Sequence, residues 1–299
     1  KDTLHVYLFK LMIDVYQTIR EQPGSTSFVY DDLLFAEFGC SETRQSVEIM
    51  SPVDHIVYVI SGKKTWHSQF CSATGEAGGA VFLKKGARVM EQFFDEQFCF
   101  MVFFFTDDFV KSVLSELGDY GSNPPVKYNA SRPNIQLNVD SILSSFFRSM
   151  AEYFVAELRP NELLLRLKFK EFITSIVVSD NNNELKKYFQ SLAHIKTPRM
   201  NHIMEENYLK NLSIAEYAKL CHRSVSSFKR DFKEEFSSSP GKWVADKRLE
   251  YSVALLSGTQ KSISEIMFES GFVDLSHYSK SFKNKFGVSP STYRKAKIA

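Results

Sequence analysis

The stretch FKRDFKEEFSSSP at residues 228–240 recurs as YSKSFKNKFGVSP at residues 278–290, fifty positions further along the chain. Upstream of it, SIAE at residues 213–216 matches SISE at residues 262–265, forty-nine positions later. The second copy therefore carries one extra residue, near Asp274. Internal similarity over this length predicts two copies of one structural unit.

Each copy has the pattern of two short helices joined by a tight turn. His222 in the first copy and Gly271 in the second stand at the turn. Glycine tolerates a positive φ at such a position, whereas histidine adopts it at some cost. Ser224 is predicted to cap the second helix of the first copy, and Asp274 or Ser276 the second helix of the other.

The second helix of each copy has two contrasting faces. Aromatic residues recur every four positions and are predicted to face the core: Phe228, Phe232, Phe236, Tyr278, Phe282 and Phe286. The opposite face carries hydroxyl and basic side chains, which suit a helix in the major groove of DNA. In either copy alone, a solvated helix surface would explain the pattern equally well. Its repetition favours DNA binding.

These residues carry a family resemblance. Residues 263–294 resemble the signature of the AraC/XylS family of bacterial transcriptional regulators, I-x-x-I-A-x-x-x-G-F-x-x-x-S-x-F-x-x-x-F-K-x-x-x-G-x-(S/T)-P-x-x-Y-R. Met267 stands where alanine is usual, and Tyr278 where phenylalanine is usual. The first copy departs further, with histidine at the turn and Ser237 where glycine often ends the recognition helix. Residues 248–256 resemble the helix that links the two modules.

The resemblance implies a tandem helix-turn-helix domain over residues 197–299, bound to double-stranded DNA. Its two recognition helices would lie in successive major grooves, about 34 Å apart. Seven residues are by position the candidates for reading base edges: Ser226, Ser227, Lys229, Arg230, Ser276, His277 and Lys280. Three others are candidates for phosphate contacts: Lys283, Lys285 and Arg294. Arg230 is the first candidate for a guanine contact, because a guanidinium can engage O6 and N7 together.

The distribution of charge supports this division of the chain. The whole sequence has 37 Lys and Arg against 35 Asp and Glu, a net charge of +2 that by itself would argue against nucleic acid. Residues 197–299, however, carry 17 Lys and Arg against 11 Asp and Glu, a net charge of +6, and residues 1–196 carry −4. The basic part is expected to bind DNA with an affinity that falls as salt rises.

Short β-rich runs separated by turn residues follow the N-terminus. They lie at residues 28–30, 46–50, 55–60, 62–70, 78–83, 89–94 and 98–105. This spacing predicts an antiparallel sandwich or barrel. Residues 55–63 and 77–86 resemble the strand-turn pattern of the cupin domain that many AraC/XylS regulators carry. We therefore expect a cupin-like sensory domain over residues 1–133, with an N-terminal helix over residues 4–19.

A cupin domain raises one alternative function, that of a metal-dependent enzyme with an accessory helical domain. Catalytic cupins usually hold their metal through an H-x-H pair, whereas His55 and His67 are isolated. Nucleotide-binding and hydrolase motifs are missing. We therefore expect no catalytic residue, no metal and no cofactor. The four cysteines lack the spacing of a metal site and are expected to be reduced thiols.

Three further expectations concern the N-terminal two-thirds. Residues 134–196 are predicted to form two or three helices that either dimerise, as in related regulators, or pack on the barrel. Lys84 and Lys85 are expected in a solvated turn, and the aromatic run at residues 93–94 and 98–105 in the core or, as the alternative, in the wall of a pocket. No stretch is apolar over about 18 residues, so no transmembrane helix is expected.

The fold class predicted from these patterns is α+β multidomain, with an N-terminal antiparallel β domain flanked by helices and a C-terminal all-α domain. The predicted function is a cytoplasmic, DNA-binding regulator, nucleoid-associated when bound to DNA. We expect an activator that contacts RNA polymerase, since most of the family are activators, and a homodimer. Its control is left open between a small-molecule effector in the barrel and a regulatory protein partner.

Overall fold

The computed structural model describes residues 12–21, 27–39, 46–68, 71–93, 98–118, 132–155, 160–193 and 200–298. The chain divides into two units, Lys1–Thr197 and Pro198–Ala299. In the described residues, no helix is both long and apolar enough to cross a membrane.

Two β-sheets form the centre of the N-terminal unit. Their strands are β1 Ile13–Asp14, β2 Ser27–Val29, β3 Leu33–Gly39, β4 Ser46–Ser51, β5 His55–Ser61, β6 Lys63–His67, β7 Ser72–Glu76, β8 Ala80–Leu83, β9 Gly86–Gln92, β10 Cys99–Phe105 and β11 Asn134–Leu137. One sheet has the order β1-β4-β9-β6-β7 and the other β11-β8-β5-β10-β3-β2. Apart from the parallel pair β1–β4, the described pairings are antiparallel, which confirms the predicted class of this domain.

Strand β10 shows why this unit is so rich in phenylalanine. Val102 and Phe104 face the apolar core between the two sheets, together with Trp66 from the other sheet. Phe103 and Phe105 alternate with them and face the helices on the outside of the six-stranded sheet. Because each buried phenylalanine contributes about 1.5–3 kcal/mol, both faces of β10 stabilise the fold. The run was predicted to be core, and these residues confirm it.

In the described residues, five helices accompany the sheets. They are α1 Val15–Glu21, α2 Asp107–Glu116, α3 Ser141–Val155, α4 Glu162–Val178 and α5 Asn183–Ala193. Helices α2 to α5 cover the six-stranded sheet through one aromatic-rich cluster, in which the Tyr58 and Phe147 rings stack at 4.2 Å between centroids. Thr106 begins α2 by accepting a hydrogen bond from the Phe109 N–H at 3.2 Å.

Several elements differ from those predicted by the sequence. Strand β3 was not predicted because it is buried on both faces, so it lacks the alternation that marks a half-exposed strand. Strands β7 and β11 and helix α2 were also not predicted. Ile13–Asp14 pairs with β4 as a strand, where an N-terminal helix was expected. The part of that helix at residues 4–11 lies outside the described residues.

Two expectations about exposure were wrong. Phe93 is exposed rather than buried in the core, and the Lys63 ammonium lies 5.9 Å from its ring centroid. Lys84 and Lys85 were expected in a solvated turn, but Lys84 is buried and the Lys85 side chain is only 11% exposed. Carboxylates and aromatic rings surround the two lysine side chains and keep them from solvent. Among the described residues, Cys71, Cys99 and Cys221 form no disulfide, and Cys40 lies outside the described residues.

The two lysines belong to a buried polar cluster that ties the sheet to helices α2 and α5. Lys85 Nζ donates to both oxygens of Asp107, at 2.7 and 2.6 Å, and Lys84 Nζ lies 4.9 Å from the Tyr188 ring centroid. Asp54 accepts hydrogen bonds from the Lys85 N–H and the Tyr188 hydroxyl. Burial raises the pKa of Asp54, and the charge of Lys85 opposes that rise.

The C-terminal unit is helical throughout its described residues. Its helices are α6 Met200–Asn207, α7 Ile214–Leu220, α8 Val225–Phe236, α9 Pro240–Gly258, α10 Ile263–Glu269, α11 Leu275–Phe286 and α12 Pro290–Ile298. Helices α7 and α8 correspond to the first sequence repeat, and α10 and α11 to the second. The predicted all-α class of this region is confirmed.

Candidate nucleic-acid interface

The first helix-turn-helix module consists of α7 and α8. Ser213 Oγ accepts from the Glu216 N–H at 3.2 Å, and the Glu216 carboxylate accepts from the Ser213 N–H at 2.6 Å, which fixes the start of α7. His222 has a φ of 53°, in the left-handed region. Ser224 then caps α8 by accepting from the Ser227 N–H at 3.2 Å. The predicted turn and cap are both confirmed.

The second module repeats this construction in α10 and α11. Ser262 and Glu265 form the same reciprocal pair of hydrogen bonds, at 3.2 and 2.7 Å. Gly271 has a φ of 80° at the turn. Asp274, one of the two predicted caps, accepts from the His277 N–H at 2.5 Å. The sequence repeat therefore corresponds to repeated backbone geometry.

The aromatic faces of α8 and α11 hold each module together. Four side chains there are fully buried: Phe228, Phe232, Tyr278 and Phe282. Phe232 packs edge-on against Trp243 at the start of α9, with 6.1 Å between ring centroids. Phe282 packs in the same way against Tyr293 of α12, at 5.6 Å. Each recognition helix is thus anchored by its inner face, which leaves its outer face for binding.

The outer faces carry most of the residues predicted to touch DNA. Eight of the ten are exposed: Ser226, Lys229, Arg230, Ser276, His277, Lys280, Lys283 and Lys285. Ser227 is half-buried on the same side of α8. The structure therefore brings four predicted base-reading residues together on α8 and three on α11.

Arg230 lies in a polar cluster that was not predicted from the sequence. Its Nε and Nη2 donate to Asp231 Oδ1 at 3.1 and 3.0 Å, and Nη2 also donates to Ser227 Oγ at 3.3 Å. Arg223 Nε donates to the second carboxylate oxygen of Asp231 at 3.0 Å. The sequence signal was an aspartate directly after the basic residues Lys229 and Arg230.

Two of the predicted phosphate contacts are restricted within the protein, Lys285 by hydrogen bonds and Arg294 by burial. Lys285 Nζ donates to Glu250 Oε1 and to the Asp246 carbonyl, each at 3.0 Å. Arg294 is half-buried, and its Nε and Nη2 are buried without a hydrogen-bond acceptor among the described residues. Contact of Lys285 with a phosphate would require its interactions with Glu250 and Asp246 to break. The predicted role of Lys285 is therefore less favourable than that of Lys283.

The linking helix α9 contains an arginine whose role was not recognised in the sequence. Arg248 Nε donates to the Tyr208 carbonyl at 2.6 Å, and Nη2 to the Lys210 carbonyl at 2.8 Å. Burial lowers the pKa of Arg248. These carbonyls precede the first module, whereas Arg248 itself lies between the modules. Its hydrogen bonds therefore fix the direction in which α9 extends from the first module.

A second candidate site is a cavity of about 290 Å³ between the two sheets of the N-terminal unit. Its wall is mainly aliphatic and aromatic, with Val57 and Phe104 from one sheet and Trp66 from the other. Residues Ile13 and Ile19, from β1 and α1, line it as well. The phenylalanine side chains of this unit thus leave part of the interior empty.

Three polar side chains also line this cavity: Thr18, His55 and Lys64. The His55 ring stacks on Phe104 at 4.8 Å, and Nδ1 donates to the Val53 carbonyl at 3.2 Å. Burial, together with the charge of Arg88, lowers the pKa of His55 to about 3, so its ring is neutral. Lys64 is fully buried, with Nζ 4.4 Å from the Phe98 ring centroid. The cavity therefore offers an apolar volume beside a cationic side chain.

Comparison with known protein families matches both units. Residues 54–188 match the family described as ExsA N-terminal regulatory domain. Residues 217–296 match the family described as Helix-turn-helix domain, which spans both modules.

Curated relatives extend over most of the chain. Thermoregulatory protein LcrF of Yersinia pestis is 25% identical, with 82% of this chain and 90% of that protein covered. Virulence regulon transcriptional activator VirF of Yersinia enterocolitica is 23% identical over the same shares. Among solved structures, apo ToxT from Vibrio cholerae is similar, with a TM-score of 0.44 and 18% identity over 89% of this chain and 98% of that one.

The regulatory-domain match, the helix-turn-helix match and the full-length relatives agree with one another, and the relatives are regulators rather than enzymes. The chain thus combines an ExsA-type N-terminal regulatory domain with an AraC-type helix-turn-helix domain, and its homologues are AraC-family regulators.

Proposed function

We propose that this protein activates transcription by binding double-stranded DNA, with α8 and α11 in two successive major grooves. The observation that carries this proposal is the repeated geometry of the two modules. Both recognition helices bury the first two of their three aromatic residues completely and expose a face of hydroxyl and basic side chains. The net charge of +6 over residues 197–299 favours association with the phosphate backbone.

The proposed contacts follow from exposure and side-chain chemistry. On α8, Ser226, Ser227, Lys229 and Arg230 are proposed to read base edges. On α11, the proposed readers are Ser276, His277 and Lys280. Lys283 is proposed to contact phosphate, with Lys285 and Arg294 joining it only after their side chains reorient.

Selection of bound sequences from a random DNA pool tests the proposal with the full chain. We expect one motif to be enriched, with two blocks centred about ten base pairs apart. Failure to enrich a motif would overturn sequence-specific binding. A transcription assay with RNA polymerase and the selected site then tests activation, which the name of VirF supports for a relative. Lower transcript yield on adding the protein would identify a repressor instead.

For control of the N-terminal unit, we propose a small apolar molecule in the cavity between the sheets. A barrel filled by its own phenylalanines would have favoured a protein partner, but about 290 Å³ is empty. Mass spectrometry of compounds extracted from the purified protein tests this. A reproducible apolar compound, displaced when Val57 is replaced by Trp, would support it. A purified protein without such a compound, which instead binds a second protein through its N-terminal unit, would contradict it.

We also propose a homodimer formed through helix α4. Leu163, Leu164 and Leu167 are 65%, 50% and 53% exposed on the face opposite the buried one. Leucines at this spacing on an outer face are more readily explained by a partner surface than by solvent. Ile142 of α3 and Val178 are exposed as well and border a surface cavity of about 310 Å³.

The roles that we propose for the three regions keep the boundaries predicted from the sequence. Residues 1–133 would receive the signal, residues 134–196 would dimerise, and residues 197–299 would bind DNA. We place the protein in the cytoplasm, associated with the nucleoid when it is bound to DNA. Fractionation of cells that express the tagged protein checks this location.

A further inference from the structure

An acidic residue lies in the middle of the DNA-facing surface of the first recognition helix. Asp231 precedes the buried Phe232, and its carboxylate is half-buried among cations. Oδ1 accepts from Arg230, and Oδ2 accepts from Arg223 and from the Ser227 hydroxyl, the latter at 3.2 Å. All four side chains therefore form one hydrogen-bonded cluster.

The contacts hold Arg230 by one edge of its guanidinium. Nε and Nη2 donate to Asp231, and Nη2 also donates to Ser227. None of the hydrogen bonds among described residues uses Nη1 of Arg230. Since a guanidinium has five N–H donors in a fixed plane, holding the Nε–Nη2 edge orients the Nη1–Nη2 edge. One N–H of Nη2 on that edge already donates to Ser227 at 3.3 Å, so a bidentate contact with guanine O6 and N7 requires this long hydrogen bond to open, while Nη1 keeps both of its N–H groups unused among the described residues.

The helix-turn-helix fold does not require this cluster. In the second module, Lys280 stands at the position of Arg230, and Ser281 at the position of Asp231. That module nonetheless has the same turn, cap and buried aromatic face. The cluster is thus a property of the first recognition helix, which points to binding rather than to folding.

Arg223 holds the aspartate in its charged form. Its guanidinium, followed by that of Arg230, lowers the pKa of the Asp231 carboxyl. An uncompensated carboxylate on this surface would repel phosphate, but here two arginines neutralise it. Asp231 lowers the positive charge of this surface by one unit and fixes the orientation of Arg230. The arrangement therefore favours discrimination between sequences over general affinity for DNA.

We propose that Asp231 is a specificity-determining positioning residue that orients Arg230 for bidentate recognition of a guanine, and that Arg223 anchors Asp231. This inference rests on the proposed function, because it assumes that α8 reads DNA. It adds a residue outside the set of direct contacts and explains why an acidic side chain occupies a basic surface.

The test measures the affinity of the full chain and its variants for the selected site, for the site with each base pair changed, and for scrambled DNA. For Asp231→Ala, we expect the preference for guanine at the position read by Arg230 to fall about five- to tenfold. Affinity for scrambled DNA should not fall, since a negative charge is removed. In the double variant with Arg230→Ala, Asp231→Ala should cause no further loss of preference.

Glu234→Ala is the matched control, because Glu234 is an exposed carboxylate on the same helix and forms no described ion pair with Arg230. It should strengthen binding to all sequences alike. If Asp231→Ala behaves like Glu234→Ala, or weakens binding to all sequences equally while the thermal unfolding midpoint is unchanged, the inference is wrong. If the wild-type chain itself shows no sequence preference, the proposed function fails and this inference fails with it.

Discussion

Arg248 of helix α9 lies against Gly271 at the turn of the second module. A Cβ added to Gly271 would lie 2.9 Å from Arg248 Nε and 2.9 Å from the Leu209 carbonyl oxygen. The same Nε donates to the Tyr208 carbonyl. The chain before the first module, the linking helix and the second turn therefore meet at one point, and only glycine fits there. This packing explains how two repeats form one unit.

Replacing Gly271 with Ala should destabilise the C-terminal unit by about 2–4 kcal/mol. The residue has a φ of 80°, where a side chain costs about 1–2 kcal/mol, and the clash with backbone and Arg248 adds to it. Urea unfolding followed by far-UV circular dichroism measures the effect. Gly287→Ala is the control, since its φ is 81° but no atom lies within 4 Å of the new Cβ. Equal losses for the two variants would show that the contact with Arg248 has no energetic effect.

Replacing Ser237 with Gly should stabilise the same unit by about 0.5–1 kcal/mol. Ser237 ends α8 with a φ of 51°, whereas Gly287 ends α11 in the same left-handed conformation. Glycine removes the strain that a side chain causes at a positive φ. The greater conformational entropy that glycine loses on folding offsets part of this gain. Ser238→Gly, at a position without a positive φ, should instead destabilise. A lower unfolding midpoint for Ser237→Gly would refute the argument.

Acid should destabilise the N-terminal unit through His55. The folded pKa of about 3 lies below the ordinary value of 6.5, so the unfolded chain binds a proton more readily. Stability is therefore complete above pH 6.5 and is lost as the pH falls toward 3. Between pH 6.5 and 5 the loss should be about 2 kcal/mol.

This pH dependence is measured by urea unfolding followed through Trp66 fluorescence in a Trp243→Phe background. His55→Gln removes the titrating ring and should flatten the dependence relative to the unsubstituted chain. Since Asp54 titrates in both proteins, its contribution cancels in the comparison. The same slope in both would exclude His55 as the cause.

Introducing charge on the exposed face of α4 should dissociate the dimer. Leu163→Glu combined with Leu167→Glu is expected to raise the dimer dissociation constant at least tenfold, because apolar contact is replaced by like charge. Both side chains are more than half exposed, so the fold should survive. Sedimentation equilibrium measures the constant, and Val155→Glu, a 75% exposed position on α3, is the control. A wild-type chain that is monomeric at micromolar concentration would contradict dimerisation.

The recognition helices could be predicted from sequence because their geometry is local. Aromatic residues every four positions set the buried face of α8, and capping residues set its start. Arg248 could not be read in this way, since its acceptors, Tyr208 and Lys210, lie 40 and 38 residues away. The ion pairs of Lys285 depend equally on a helix distant in sequence. A spacing rule identifies which side a residue faces, but not which partner it meets there.

The β domain was predicted less completely for a related reason. Strand β3 carries no alternating pattern because both of its faces are covered, and β7 contains Gly75 and small polar residues whose strand geometry comes from pairing with β6. The buried Lys84 and the largely buried Lys85 illustrate the same limit. Their charges suggested solvent, whereas Asp107 and Tyr188 come from elements that only the tertiary fold brings near them.

The central claim is that each recognition helix reads its own block of bases. Repeating the random-pool selection with the wild-type chain, Arg230→Ala and Lys280→Ala tests it most directly. The wild type should enrich two blocks about ten base pairs apart. Arg230→Ala should lose preference in one block, at a cost of about 1–3 kcal/mol on the selected site, and Lys280→Ala in the other. A single enriched block, or equal loss on specific and scrambled DNA for both variants, would contradict the account.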